Sequence, residues 1–128
     1  MNSVLIWYIQ MLQTPPTIAE LKQGDLAVVV ADQQGNVVDV NSHFERIFGW
    51  TSTEIIGQPL TVILPPFFQD AHNLGFARFS ATGHSKVLNH PLNLKAVTKD
   101  NQEIESEHFI VAEKQGEQWL FAATLRPL

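Results

Sequence analysis

The chain has 128 residues, 45% of them hydrophobic and 16% charged, with a formal net charge of −5. That balance describes one folded globular domain and excludes a disordered chain, while the acidic surplus and the lack of any lysine or arginine cluster exclude a nucleic-acid interface. There is no cysteine, which excludes disulfides, a thiol nucleophile, a zinc–thiolate site and a flavin–cysteinyl photoadduct, and fits a cytoplasmic location.

In chain order, Met1 to Leu12 is apolar but has neither an early positive charge nor a small-residue cleavage site, and it is too short for a membrane span. Val4, Trp7, Tyr8, Met11 and Leu12 recur at helical spacing and predict an amphipathic helix. So short a helix needs a surface to pack on, either its own domain or a second copy of the chain in a homodimer. Residues 1–23 therefore form an N-terminal helical extension, and 24–128 the domain proper. Pro15 and Pro16 end the first helix. Thr17-Ile18-Ala19-Glu20 is a capping box that starts a short helix stopping at Gly24. Leu26 to Asp32 and Val37 to Val40 predict an antiparallel hairpin around the turn Gln33-Gln34-Gly35-Asn36.

Asn41 is placed to cap a helix from Ser42 to Phe48, closed by Gly49. Thr51 or Ser52, with Glu54, begins a further brief turn that stops at Gly57. Pro65 and Pro66 break the chain, and the longest helix is expected from about Phe68 to Ala81. Beyond Gly83 the pattern alternates with period 2, predicting strands from Leu88 to Thr98, Glu103 to Ala112 and Trp119 to Leu125, with turns at 99–102 and 113–117. Strands, then helices, then strands predict an α+β domain with short helices packed on one face of a five-stranded antiparallel sheet.

Ala31 to Asn41, Phe44, Phe48-Gly49-Trp50, Glu54 to Leu60, Ile63-Leu64-Pro65, Thr82-Gly83, Lys99-Asp100 and Leu125-Arg126 together resemble the motifs of the PAS domain family, in order, from about Asp25 to Leu128. The resemblance implies the PAS fold and a sensory or signalling role. Two positions depart from the family pattern. Asn101 stands where glycine is usual, and asparagine also tolerates left-handed geometry. Pro127 stands where an acidic residue often couples the sheet to an output helix.

Phe68, His72, Gly75, Phe76 and Phe79 fall on one stripe of the long helix, which should face the sheet. This segment resembles the heme-binding PAS domains of rhizobial oxygen-sensing histidine kinases, and His72, Arg78, Thr82 and Gly83 match it. The resemblance implies His72 as a heme iron ligand, while Leu92 replaces the distal arginine of those sensors. A pocket-lining or core histidine is the other reading of His72. On the next strand Glu103, Glu105 and Glu107 alternate with Ile104, Ser106, His108 and Ile110. If the glutamates face water, Ser106 and His108 point inward, where they need partners: each other, water or a ligand. Trp119, Phe121, Ala123 and Leu125 share a face of the last strand.

The sequence carries no GxSxG elbow, GxGxxG loop, HxxxH or HExxH pair, or carboxylate pair, so no enzyme and no non-heme metal site is expected. The expectation is a bacterial-type sensory box that binds a small molecule through His72, Phe76, Phe79, Leu92, Ser106, His108, Ile110, Trp119 and Ala123. Its cofactor is unnamed, with heme as the sharpest candidate. Its relay would run through a homodimer contact of the N-terminal helix and the sheet face. A ligand-free homodimerisation domain is the alternative.

Overall fold

The computed structural model describes residues 15–67, 69, 79 and 87–128. The N-terminal helix predicted over residues 1–12, His72, Phe76, and all of the 68–81 helix but Gln69 and Phe79 lie outside them. In chain order the described elements are α1 (Ile18–Lys22), β1 (Ala27–Asp32), β2 (Val37–Val40), α2 (Ser42–Phe48), α3 (Ser52–Ile55), a 3-10 turn at Leu60–Ile63, β3 (Leu92–Val97), β4 (Glu103–Gln115) and β5 (Gln118–Pro127). The five strands form one antiparallel sheet in the order β2-β1-β5-β4-β3.

Local chemistry explains most of the boundaries. Thr17 and Glu20 close a reciprocal capping box on α1, and Thr51 and Glu54 do the same on α3. The β1–β2 turn is held by Asp32, whose carboxylate accepts from the N–H groups of Gln34 and Asn36, each at 3.0 Å. Gly35 supplies the positive φ of 83° that this turn requires.

Asn41 does three things at once. Its side-chain oxygen accepts from Phe44 N, capping α2, and from Val28 N, each at 3.0 Å, while its amide donates to Leu26 O at 2.8 Å. One residue thereby ties the start of a helix to the first strand.

Two expectations are adjusted by the structure, and a third is met. The strand predicted from Leu88 begins only at Leu92, because Asn89 takes a φ of 64° and Pro91 has no N–H to give a ladder. Leu88 keeps a single bridge to Ile110. The turn predicted over 113–117 narrows to Gly116-Glu117, with β4 running on to Gln115. In the turn before β4, Asn101 adopts a φ of 63°, the left-handed geometry in which asparagine replaces glycine.

Directly paired residues in an antiparallel sheet share a face, so the register sorts the core into two layers. On the inward face, Ala27, Val29, Ala96 and Leu125 pack with Val37, Val40, Phe44, Phe48, Ile55 and Ile63. Phe44 and Phe48 stack at 4.9 Å and are fully buried, each removing an amount of apolar surface worth about 2–3 kcal/mol. On the outer face, α1 lays Ile18 and Leu21 over Val28, Val30, Phe109, Val111 and Ala122. Glu113 accepts from Ile18 N at 3.4 Å and marks where α1 meets β4.

Candidate ligand site on the inward sheet face

The alternation of β4 decides where its polar residues go. Glu103, Glu105 and Glu107 pair with Val97, Lys95 and Asn93 on the outward side. Ile104, Ser106, His108 and Ile110 take the inward side, where β4 meets Leu125 and Ala123 of β5. One rung, Ala27–Leu125–His108–Leu92, crosses four strands in line. His108 therefore sits between two leucines, with Ile110 two residues along and Ser106 two residues back.

His108 is 4% exposed and Ser106 fully buried. The Ser106 hydroxyl turns back toward Ile104 O at 3.4 Å, a long contact, and does not meet the imidazole. His108 Nε2 is buried with no hydrogen-bond partner. Burial alone pushes its pKa down from the ordinary 6.5 to about 4, because nothing compensates a charge there. At neutral pH the group is an uncharged imidazole with one nitrogen unsatisfied, a costly arrangement for a folded protein to keep.

The remaining expected site residues divide between the two ends of this face. Leu92 lies on the His108 rung, and Ile110 pairs with Ala123 on the next; all three are half-buried. At the far end Phe79 is buried and meets Trp119 and Phe121 edge-on, with ring centroids at 5.2 and 5.0 Å. This aromatic trio fixes one wall. Trp119 N also donates to Gln33 Oε1 at 3.1 Å, anchoring the hairpin turn to β5. His72 and Phe76 lie outside the described residues.

Two residues of this region escaped the sequence reading. Leu94 of β3 pairs with Ser106 of β4 and extends the apolar strip beside Leu92; its i, i+2 spacing from Leu92 was the available signal. Asn89 has a buried Oδ1 without a partner, while its N–H donates to Ile110 O at 2.9 Å. Its place depends on the positive φ ahead of Pro91, which no periodicity shows. Among the described residues no group of three or more His, Cys, Asp or Glu could hold a metal ion, and no helix is long and apolar enough to cross a membrane.

Outside this face, α3 is tied to the β3–β4 turn by the Glu54–Lys99 ion pair, and Lys99 also lies 5.7 Å from the centroid of the Trp50 ring. The hydrogen bond from Lys99, followed by those from Thr51, holds the Glu54 carboxyl at about 2, below its ordinary 4.5. The pair is solvent-exposed and is a surface tie.

A family model described as a PAS domain matches residues 25–126. An uncharacterized protein of Azorhizobium caulinodans is 34% identical over 103 residues, or 80% of this chain, which spans only 14% of that relative's length. The PAS domain of a protein from Desulfitobacterium hafniense superposes with a TM-score of 0.68 at 16% identity, over 84% of this chain and 97% of that one. The RpfR quorum-sensing receptor PAS domain of Cronobacter turicensis, solved in complex with C12:0, gives 0.63 at 19% identity, over 83% of this chain and 96% of that one. At such identities the structural likeness speaks for the fold.

Proposed function

The chain belongs to the PAS domain family, and from that premise we propose that it is a sensory module that takes a small molecule on the inward face of its sheet and relays its presence through the outer face. The observation that carries the proposal is His108 Nε2, buried in an apolar strip with nothing to bond. A fold keeps such a group where a partner arrives from outside. The neighbour of similar fold that holds C12:0 supports the same reading.

We read the module as a binder and not a catalyst. Ser106 and His108, the polar pair on this face, do not touch, so they form no nucleophile and base. Relay would follow from the two-layer core. Neighbouring residues His108 and Phe109 face opposite sides of β4, so a ligand that shifts one moves the other against α1. A homodimer contact through Val4, Trp7, Tyr8 and Met11 would carry the change onward, and deleting residues 1–12 should then yield a monomer in light scattering.

Heme is the sharpest form of the ligand reading. The ligand it needs by resemblance, His72, lies outside the described residues, and the described inward face supplies the apolar lining with Leu92 in it.

The test is native mass spectrometry of the purified chain, with a UV–visible spectrum before and after hemin. A copurifying small molecule lost in His108→Leu supports the proposal, and a Soret band lost in His72→Ala names the ligand as heme. If nothing copurifies and no small-molecule panel raises the melting temperature, the chain is a ligand-free interaction domain instead.

A further inference from the structure

Resting on the ligand reading above, we infer that the site takes an uncharged, largely apolar molecule ending in one hydroxyl group, which sits against His108 Nε2, and that it discriminates against the carboxylate of the same chain length.

The surroundings of His108 set the character of the molecule. Its rung neighbours are Leu92 and Leu125, and the adjoining inward positions are Ile110, Ala123 and Leu94. Among the described residues no charged side chain shares this face beside it. The carboxylates of β4 point the other way, and Glu107 is engaged by Arg126 at 3.1 Å. An anion drawn to this spot would meet no fixed cation among the described residues and would leave water for a region of low dielectric, a cost that an unpaired ion does not recover. It could pair only by protonating His108, which burial opposes.

The unsatisfied atoms set the terminal group. A neutral imidazole presents Nε2 as either donor or acceptor, depending on its tautomer. A hydroxyl can meet either form, because it both donates and accepts; a carbonyl can meet only one. In the turn that leads into β3, Asn89, whose N–H is bonded to Ile110 O of β4, has a buried side-chain oxygen that also lacks a donor. An orphan acceptor anchored to the strand that carries the orphan imidazole favours a ligand end that brings its own proton.

The experiment uses the whole chain with 1-decanol, decanoate and decane as probes, read by thermal shift and by the ring-nitrogen chemical shifts of His108. At pH 7.5 the alcohol should bind about tenfold or more tightly than decanoate and should move the Nε2 resonance, as one well-placed hydrogen bond would. His108→Leu should cut alcohol affinity about tenfold and leave decane binding unchanged. His108→Gln, which keeps a hydrogen-bonding end, should restore part of the preference and serves if the leucine variant folds poorly. If decanoate binds as well as decanol, or both variants keep the wild-type preference, the inference is overturned while the ligand reading stands. If none of the probes binds and nothing copurifies with the chain, the ligand reading falls and takes the inference with it.

Discussion

The inward face of the sheet has two halves built on different terms. Under α2 and α3 it is sealed by Phe44, Phe48 and Ile55, all fully buried, and every helix start is capped by a side chain in hydrogen-bond reach. Toward β3 and β4 it holds Ser106 and His108 at equal depth, one with a long contact and the other with none at Nε2. The first half leaves one buried group without a partner, the indole N–H of the partly buried Trp50. The second keeps an unmet demand, and the contrast separates residues that build the domain from residues that wait for something.

If that division is right, the largest loss should come from the sealed half. Phe48→Ala removes a fully buried ring from the stack with Phe44 and should cost about 3–5 kcal/mol in denaturant unfolding; a cost below about 1 kcal/mol would mean this half is not the stabilising one.

The next effect belongs to the waiting half and depends on pH. Between the ordinary value of 6.5 and about 4 the unfolded chain takes up a proton that folded His108 refuses. Stability tied to the neutral ring is whole above that window and drains away as pH falls through it, by roughly 3 kcal/mol in all. His108→Leu should flatten this part of the profile, and identical wild-type and variant slopes would contradict it.

Asn41→Ala should cost about 1–2 kcal/mol, since it removes both a helix cap and the tie to Leu26 and Val28. At neutral pH, without ligand, His108→Leu should make the chain more stable, by about 1 kcal/mol, because it replaces an orphan polar group with an apolar one of similar size. That gain is the sharpest form of the comparison, as every substitution in the sealed half should go the other way. Smallest of all is Glu54→Gln, which breaks an exposed ion pair and should shift the melting curve least, with added salt erasing the difference.

The same division governs how much the sequence disclosed. Asn41, the capping pairs Thr17–Glu20 and Thr51–Glu54, and the turn at Gly35 act through neighbours in sequence, so their spacing alone located the hairpin and the short helices. The inward aim of His108 was legible too, because alternation with Glu105 and Glu107 needs no knowledge of the partner strands. What surrounds it was not. The rung that sets His108 between Leu92 and Leu125 joins residues from opposite ends of the second half of the chain, and only the register brings them into line. Asn89 was invisible for a different reason: its buried oxygen goes with a single positive φ ahead of Pro91, and one residue has no periodicity to detect. The 3-10 turn at Leu60–Ile63 likewise lacks a side-chain cap that could have announced it.

The strand order has a consequence of another kind. β1 and β5, the first and last strands, are hydrogen-bonded neighbours in the middle of the sheet, and Ala27, where the chain enters, faces Leu125, close to where it leaves. Entrance and exit therefore open on the same side, a strand's width apart. A unit with such doors behaves as a cassette: it can be spliced into a longer polypeptide with little displacement of the flanking segments. Any slip between those two strands would be felt at once at both points.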